Sequence, residues 1–127
     1  MKHIFLASIL LAASVPAAAA WTSYAQTATT TELYDTASIV RSGATVKVWA
    51  LTNHVTPLTN LEGKELLSEK SLNLINCADK KIGAEAVLTY AGRDLTGTEV
   101  GRMETPARLT PIKAGSPDET LMRAVCP

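Results

Sequence analysis

Hydrophobic and polar positions alternate with a period of two along most of the chain, the spacing of β-strands. The plainest run is 82–90, where Ile82, Ala84, Ala86, Leu88 and Tyr90 interleave with Gly83, Glu85, Val87 and Thr89; it predicts one amphipathic strand. In 46–51, Val46, Val48 and Ala50 fall on one side and Lys47, Trp49 and Leu51 on the other, so both faces carry apolar groups and both should be at least partly covered. Strand signals also run from Leu67 to Cys77, but Leu72 and Leu74 have one parity while Ile75 and Cys77 have the other. A bulge or burial on both faces would explain the change. Shorter strands are predicted over 21–25, 30–35 and 98–103. Thr27–Thr31 reads as an extended edge or loop, and Thr56–Lys64, with Pro57 and Gly63, as a loop. Arg41–Ala44 reads as a hairpin connection, with Gly43 free to take positive φ.

The last dozen residues change period. Ser116-Pro117-Asp118-Glu119 combines an N-cap serine, a proline at the first helical position and a glutamate three residues after the cap, the pattern of a capping box. Leu121 with Val125, and Met122 with Cys126, are four apart and build one apolar stripe. A helix this short is marginal alone and needs docking to persist. The elements together predict an α+β architecture, an antiparallel sheet with a short C-terminal helix packed on one face.

The first twenty residues belong to neither pattern. Lys2 precedes an apolar run from Ile4 to Val15, followed by Pro16 and the small tract Ala17–Ala20. The apolar run is about a dozen residues where a membrane-spanning helix needs roughly 20, so residues 1–20 read as a cleaved secretory signal peptide and not as an anchor. No membrane span is predicted, and no cysteine near the cleavage site is available for lipid attachment. The expected localisation is exported: periplasm, cell surface or exterior. Residues 21–127 suit a single small domain.

Twelve Lys and Arg balance twelve Asp and Glu over the whole chain, with both signs scattered, which argues against nucleic acid as a partner. Beyond residue 20 the only histidine is His54 and the only cysteines are Cys77 and Cys126, too few for a His/Cys zinc site. No metal, cofactor or catalytic residue is expected. Two cysteines in an exported chain read as one disulfide, joining the strand that carries Cys77 to the end of the helix at Cys126.

In order along the chain, Leu33-Tyr34-Asp35 with Ser38-Ile39, Val46-Lys47-Val48-Trp49, Ser68 leading to Ile75-Asn76-Cys77, Tyr90 with a following glycine, and Ser116 to Cys126 resemble the surface-adhesin protein E family of exported proteins from Gram-negative bacteria. The resemblance spans nearly all of 21–127. It implies a twisted antiparallel sheet of about six strands with the C-terminal helix tied on through Cys77 and Cys126. Many members carry a tryptophan before the terminal proline segment, where this chain has Arg108-Leu109; Leu109 is expected to fill part of that volume. The resemblance also implies adhesion to host extracellular-matrix or serum proteins.

Each conspicuous residue has a plain structural reading. His54 is expected to be a strand-end histidine in water, Asp35 a turn cap and Glu32 a solvated carboxylate. Trp49 reads as core packing, Lys80-Lys81 as a solvated turn, and Gly92–Gly97 as turn chemistry and not a phosphate cradle. The chain is therefore read as a non-enzymatic, adhesin-like binding protein. The alternative is a periplasmic structural or envelope-maintenance protein with no host partner. A deep pocket enclosing His54 with a carboxylate in reach would instead point to an enzyme. An unpaired sheet edge would also permit a homodimer by strand addition.

Overall fold

The computed structural model describes residues 18–127; the signal peptide read at 1–20 lies outside the described residues except for its last three. Strands form at Trp21–Gln26 (β1), Thr30–Asp35 (β2), Val40–Ser42 (β3), Thr45–Thr59 (β4), Glu65–Asn76 (β5), Lys81–Tyr90 (β6), Glu99–Glu104 (β7) and Thr110–Pro111 (β8), and Pro117–Val125 forms the helix α1. Six of them make one open antiparallel sheet in the order β1-β2-β4-β5-β6-β7, while β3 pairs with β4 and β8 with β6. The six-strand expectation thus describes the main path, and the two extra strands are short.

Residues opposite each other in a ladder share a face, so the register sorts the side chains. One face carries Val46, Val48 and Ala50 of β4, Ile75 of β5 and Ile82 of β6, and Leu121, Met122 and Val125 of α1 pack onto it to form the main core. The helix stripe is therefore where the sequence put it. Leu51, Leu66, Ala86 and Leu88 are also buried, and their register turns them to the opposite face, hereafter the open face.

That arrangement corrects the reading of 82–90 as one uniformly amphipathic strand. Ala84 lies opposite Asn73 and Ala86 opposite Leu72, leaving Glu85 as an extra residue in β6. The bulge flips the parity, so Ile82 faces the helix while Ala86 and Leu88 face away. β5 pairs with β4 without interruption from Ser68 to Asn76. Its parity change is therefore burial on both faces, with the bulge next door.

The predicted loop at 56–64 is also corrected, because β4 continues to Thr59. Between Asn53 opposite Ser68 and Leu58 opposite Leu66 the register jumps. Pro57 falls in that irregular stretch, where its missing N–H costs no ladder bond. The hairpin then closes through Asn60, whose Oδ1 accepts from the N–H groups of Glu62 (3.0 Å) and Lys64 (2.9 Å), with Gly63 at φ +76°.

At the start of α1, the Ser116 hydroxyl accepts from the Glu119 N–H at 3.3 Å. The Glu119 carboxylate accepts from Gly115 N–H and meets Arg123 at 3.3 Å, a one-residue variation on the predicted capping box. At the other end the Arg41 guanidinium donates to the Val125 carbonyl at 2.9 Å, which satisfies an oxygen the helix leaves without an internal partner. Cys77 and Cys126 form a disulfide with Cα atoms 5.8 Å apart and a sequence separation of 49. Closing a loop of that length is worth about 4 kcal/mol in the chain-entropy account.

Candidate interaction surfaces

The open face has an aromatic centre. Trp49 lies opposite Leu72, and the Lys70 ammonium sits 4.8 Å from the centre of its ring, a cation–π contact. Leu33 and Leu74 are half-buried on the same face, Val40 is 61% exposed, and Lys47 bridges to Glu85 at 3.0 Å. The expectation that Trp49 is core packing is thus corrected: the ring is half-buried on the surface without the helix, because its odd position in β4 points away from Val46 and Val48.

At one end of this face the β6–β7 connection folds over β4 and β5. Ser68, fully buried, donates its hydroxyl to the Gly92 carbonyl at 2.5 Å and accepts from Leu95 N–H at 2.9 Å. Asn53 and Asp94 exchange two hydrogen bonds, and the Arg93 guanidinium donates to the His54 and Val55 carbonyls. These bonds hold Asp94 and Leu95 in left-handed backbone (φ 54° and 61°) that non-glycine residues seldom adopt. The Gly92–Gly97 segment is therefore turn chemistry, as read from the sequence.

On the helix side a polar cluster borders the core. His54 is not a strand-end residue in water: it lies inside β4, its side chain is 12% exposed, and Nε2 is 3.6 Å from the Glu69 carboxylate. That nitrogen is buried without a hydrogen-bond partner. Glu32 is half-buried nearby, and burial, reinforced by the charges of Asp118 and Glu69, pushes its carboxyl above the usual range. Its reading as a solvated carboxylate is corrected accordingly. Tyr24, edge-on to Tyr34 with ring centres 5.9 Å apart, is held protonated to unusually high pH by burial and by the charges of Glu32 and Asp118. Asp35 belongs elsewhere; it is buried and accepts from the N–H groups of Ala37 and Ala20, both at 2.9 Å, the turn-capping role expected of it. Lys80 and Lys81 lie at the β5–β6 turn, where the Lys80 carbonyl accepts from Ile112 N–H. Among the described residues no group of three or more His, Cys, Asp or Glu is placed to hold a metal ion.

A third surface had no counterpart in the sequence reading. The tip of the β4–β5 hairpin reaches β7 through Asn60, whose Nδ2 donates to the Val100 carbonyl at 3.1 Å. Between them lies an open groove of about 380 Å³ bordered by Leu61, Val87, Val100, Gly101 and Met103. The available signal was Leu61, a lone leucine between Asn60 and Glu62-Gly63, where turn composition leads one to expect a polar residue.

A family model described as surface-adhesin protein E matches residues 21–127. The structure of Haemophilus influenzae protein E is similar in fold, with a TM-score of 0.60 and 15% sequence identity over 75% of this chain and 76% of that one. No curated protein matches the chain. With the family match covering all eight strands, the helix and both cysteines, the chain belongs to the surface-adhesin protein E family.

Proposed function

We propose that this is an exported, non-enzymatic binding protein, adhesin-like, made as a single domain over 21–127 behind a cleaved signal peptide at 1–20. It acts at the outer surface or in the periplasm. Its proposed partners are host extracellular-matrix or serum proteins. The observation that carries the reading is the family match across residues 21–127. The open face adds support, since apolar and aromatic groups half-exposed beside lysines are what a partner surface needs.

The test is location followed by binding. The native organism is fractionated, and intact cells are probed with protease and antibody. Accessibility at the surface, together with retention of the purified protein on an immobilised matrix coat, is expected. Confinement to the periplasm with no retention would sink the adhesin-like reading and point to an envelope-maintenance role.

A further inference from the structure

The helix α1 is fastened unevenly. At its C-terminal end Cys126 is bonded to Cys77 and the Arg41 guanidinium donates to the Val125 carbonyl, and Leu121, Met122 and Val125 are buried. Its first turn has only local bonds: the Ser116 hydroxyl accepts from the Glu119 N–H, and Glu119 pairs with Arg123. Among the described residues no hydrogen bond or ion pair joins 116–120 to a strand. The helix is thus hinged at one end and free to lift at the other.

Near the free end the sheet gathers carboxylates without cations. Glu32 of β2 and Glu69 of β5 flank Thr52 of β4 on either side, on the face that α1 covers, and His54 follows two residues along the same strand. Tyr24 of β1, with Tyr34 of β2 edge-on to it, borders them. Asp118, in the first turn of α1, is close enough for its charge to act on both Tyr24 and Glu32. Among the described residues neither Glu32 nor Asp118 has a salt-bridge partner, and Glu69 meets only the His54 imidazole at 3.6 Å. Arg93 of the β6–β7 connection is engaged by the His54 and Val55 carbonyls, and Arg123 by Glu119. The Nε2 atom of His54 is buried and makes no hydrogen bond. A proton on that nitrogen would give Glu69 a charged donor, and a proton on Glu32 would remove one of two like charges facing each other between helix and sheet.

Proton uptake and helix docking are therefore linked. Burial of Glu32 and the charge of Asp118 both raise its affinity for a proton, and both weaken when the first turn lifts. The resulting contribution to docking is present below the ordinary carboxylate range. It is lost as pH rises through the higher value of the docked state, with the proton shared among the interacting groups.

We propose that α1 is a pH-operated flap, hinged at Cys126 and Arg41, whose first turn is latched to the sheet when the cluster of Glu32, His54, Glu69 and Asp118 takes up a proton and is loosened when the cluster is fully deprotonated.

The test follows amide exchange by NMR in the protein spanning residues 21–127 at pH 5 and pH 7.5, each rate corrected for its intrinsic pH dependence. Protection of 119–122 is expected to be about tenfold higher at pH 5, the effect of one proton held tenfold more tightly in the docked state, while that of 123–126 changes little. In Glu32→Gln the protection of 119–122 should be high at both pH values. His54 is the sole histidine of 21–127, so its imidazole signals can be followed alone, and their titration should move to a different pH in Glu32→Gln. No pH dependence at 119–122, or a change of equal size in both halves of the helix, would overturn the proposal. Both outcomes are read on the unsubstituted protein and do not depend on a variant folding. Undiminished pH dependence in Glu32→Gln, or a His54 titration that ignores the substitution, would overturn it as well.

Discussion

Ser68 shows how much one small side chain can organise. Its hydroxyl bonds both Gly92 and Leu95 from the interior of β5, so Ser68→Ala would leave a part-buried carbonyl and N–H without that partner. A cost of about 1–3 kcal/mol is expected in urea unfolding, together with faster amide exchange across 92–97. Glu32 gives a pH effect whose sign is fixed by its surroundings. Because folding raises its proton affinity, its contribution to stability is greatest below the ordinary carboxylate range. It is lost as pH rises through the higher folded value. Glu32→Gln is therefore expected to melt higher than the unsubstituted protein at pH 7 and to lose that advantage near pH 4, as scanning calorimetry at the two pH values would show. What the sequence revealed at this scale was local. Asp35 and Ser116 were legible because a cap acts on neighbouring N–H groups, whereas the setting of His54 depends on Glu69, which lies on a different strand.

Among the elements, the helix was the most legible, because its cap, its proline and its four-residue spacing all act within nine residues. β6 was the least, since the extra residue at Glu85 leaves the alternation of letters intact while reversing which face each one meets. The Trp49 reading failed for a related reason: period two separates a strand's faces but does not say which of them the helix will cover. α1 is held at its C-terminal end by the disulfide and by Arg41, and along its length by Leu121, Met122 and Val125. Cys126→Ser is expected to lower stability by a few kcal/mol at most, with the loss of amide protection concentrated in 117–125. Unchanged melting and unchanged protection would mean that the apolar stripe alone secures the helix.

For the molecule as a whole, the open sheet leaves two outer strands. β1 carries an extra residue at Tyr24 and β7 one at Val100, and β7 is further lined by Glu99, Arg102 and Glu104. Bulges and charges are how natural sheets discourage indiscriminate pairing of their edges. The homodimer by strand addition that an unpaired edge could permit would have to form against these features. Of the exposed apolar groups, Leu61 sits at the hairpin tip and Val40 on the open face, while Met103 lies on β7 itself.

The order of strands also bears on time. Apart from the short β3, each strand of the main path pairs with the one nearest it in sequence, so most of the sheet forms from contacts close along the chain. The helix is the exception, because it must reach back to β1 and to Arg41. Local pairings close quickly and distant ones slowly; the sheet should therefore assemble first and the helix settle last. Leu121→Ala, which opens a cavity at a site 1% exposed, is then expected to accelerate unfolding while leaving the refolding rate nearly unchanged in stopped-flow experiments. The C-terminal helix would set how long the folded molecule lasts, and the meandering sheet how fast it appears.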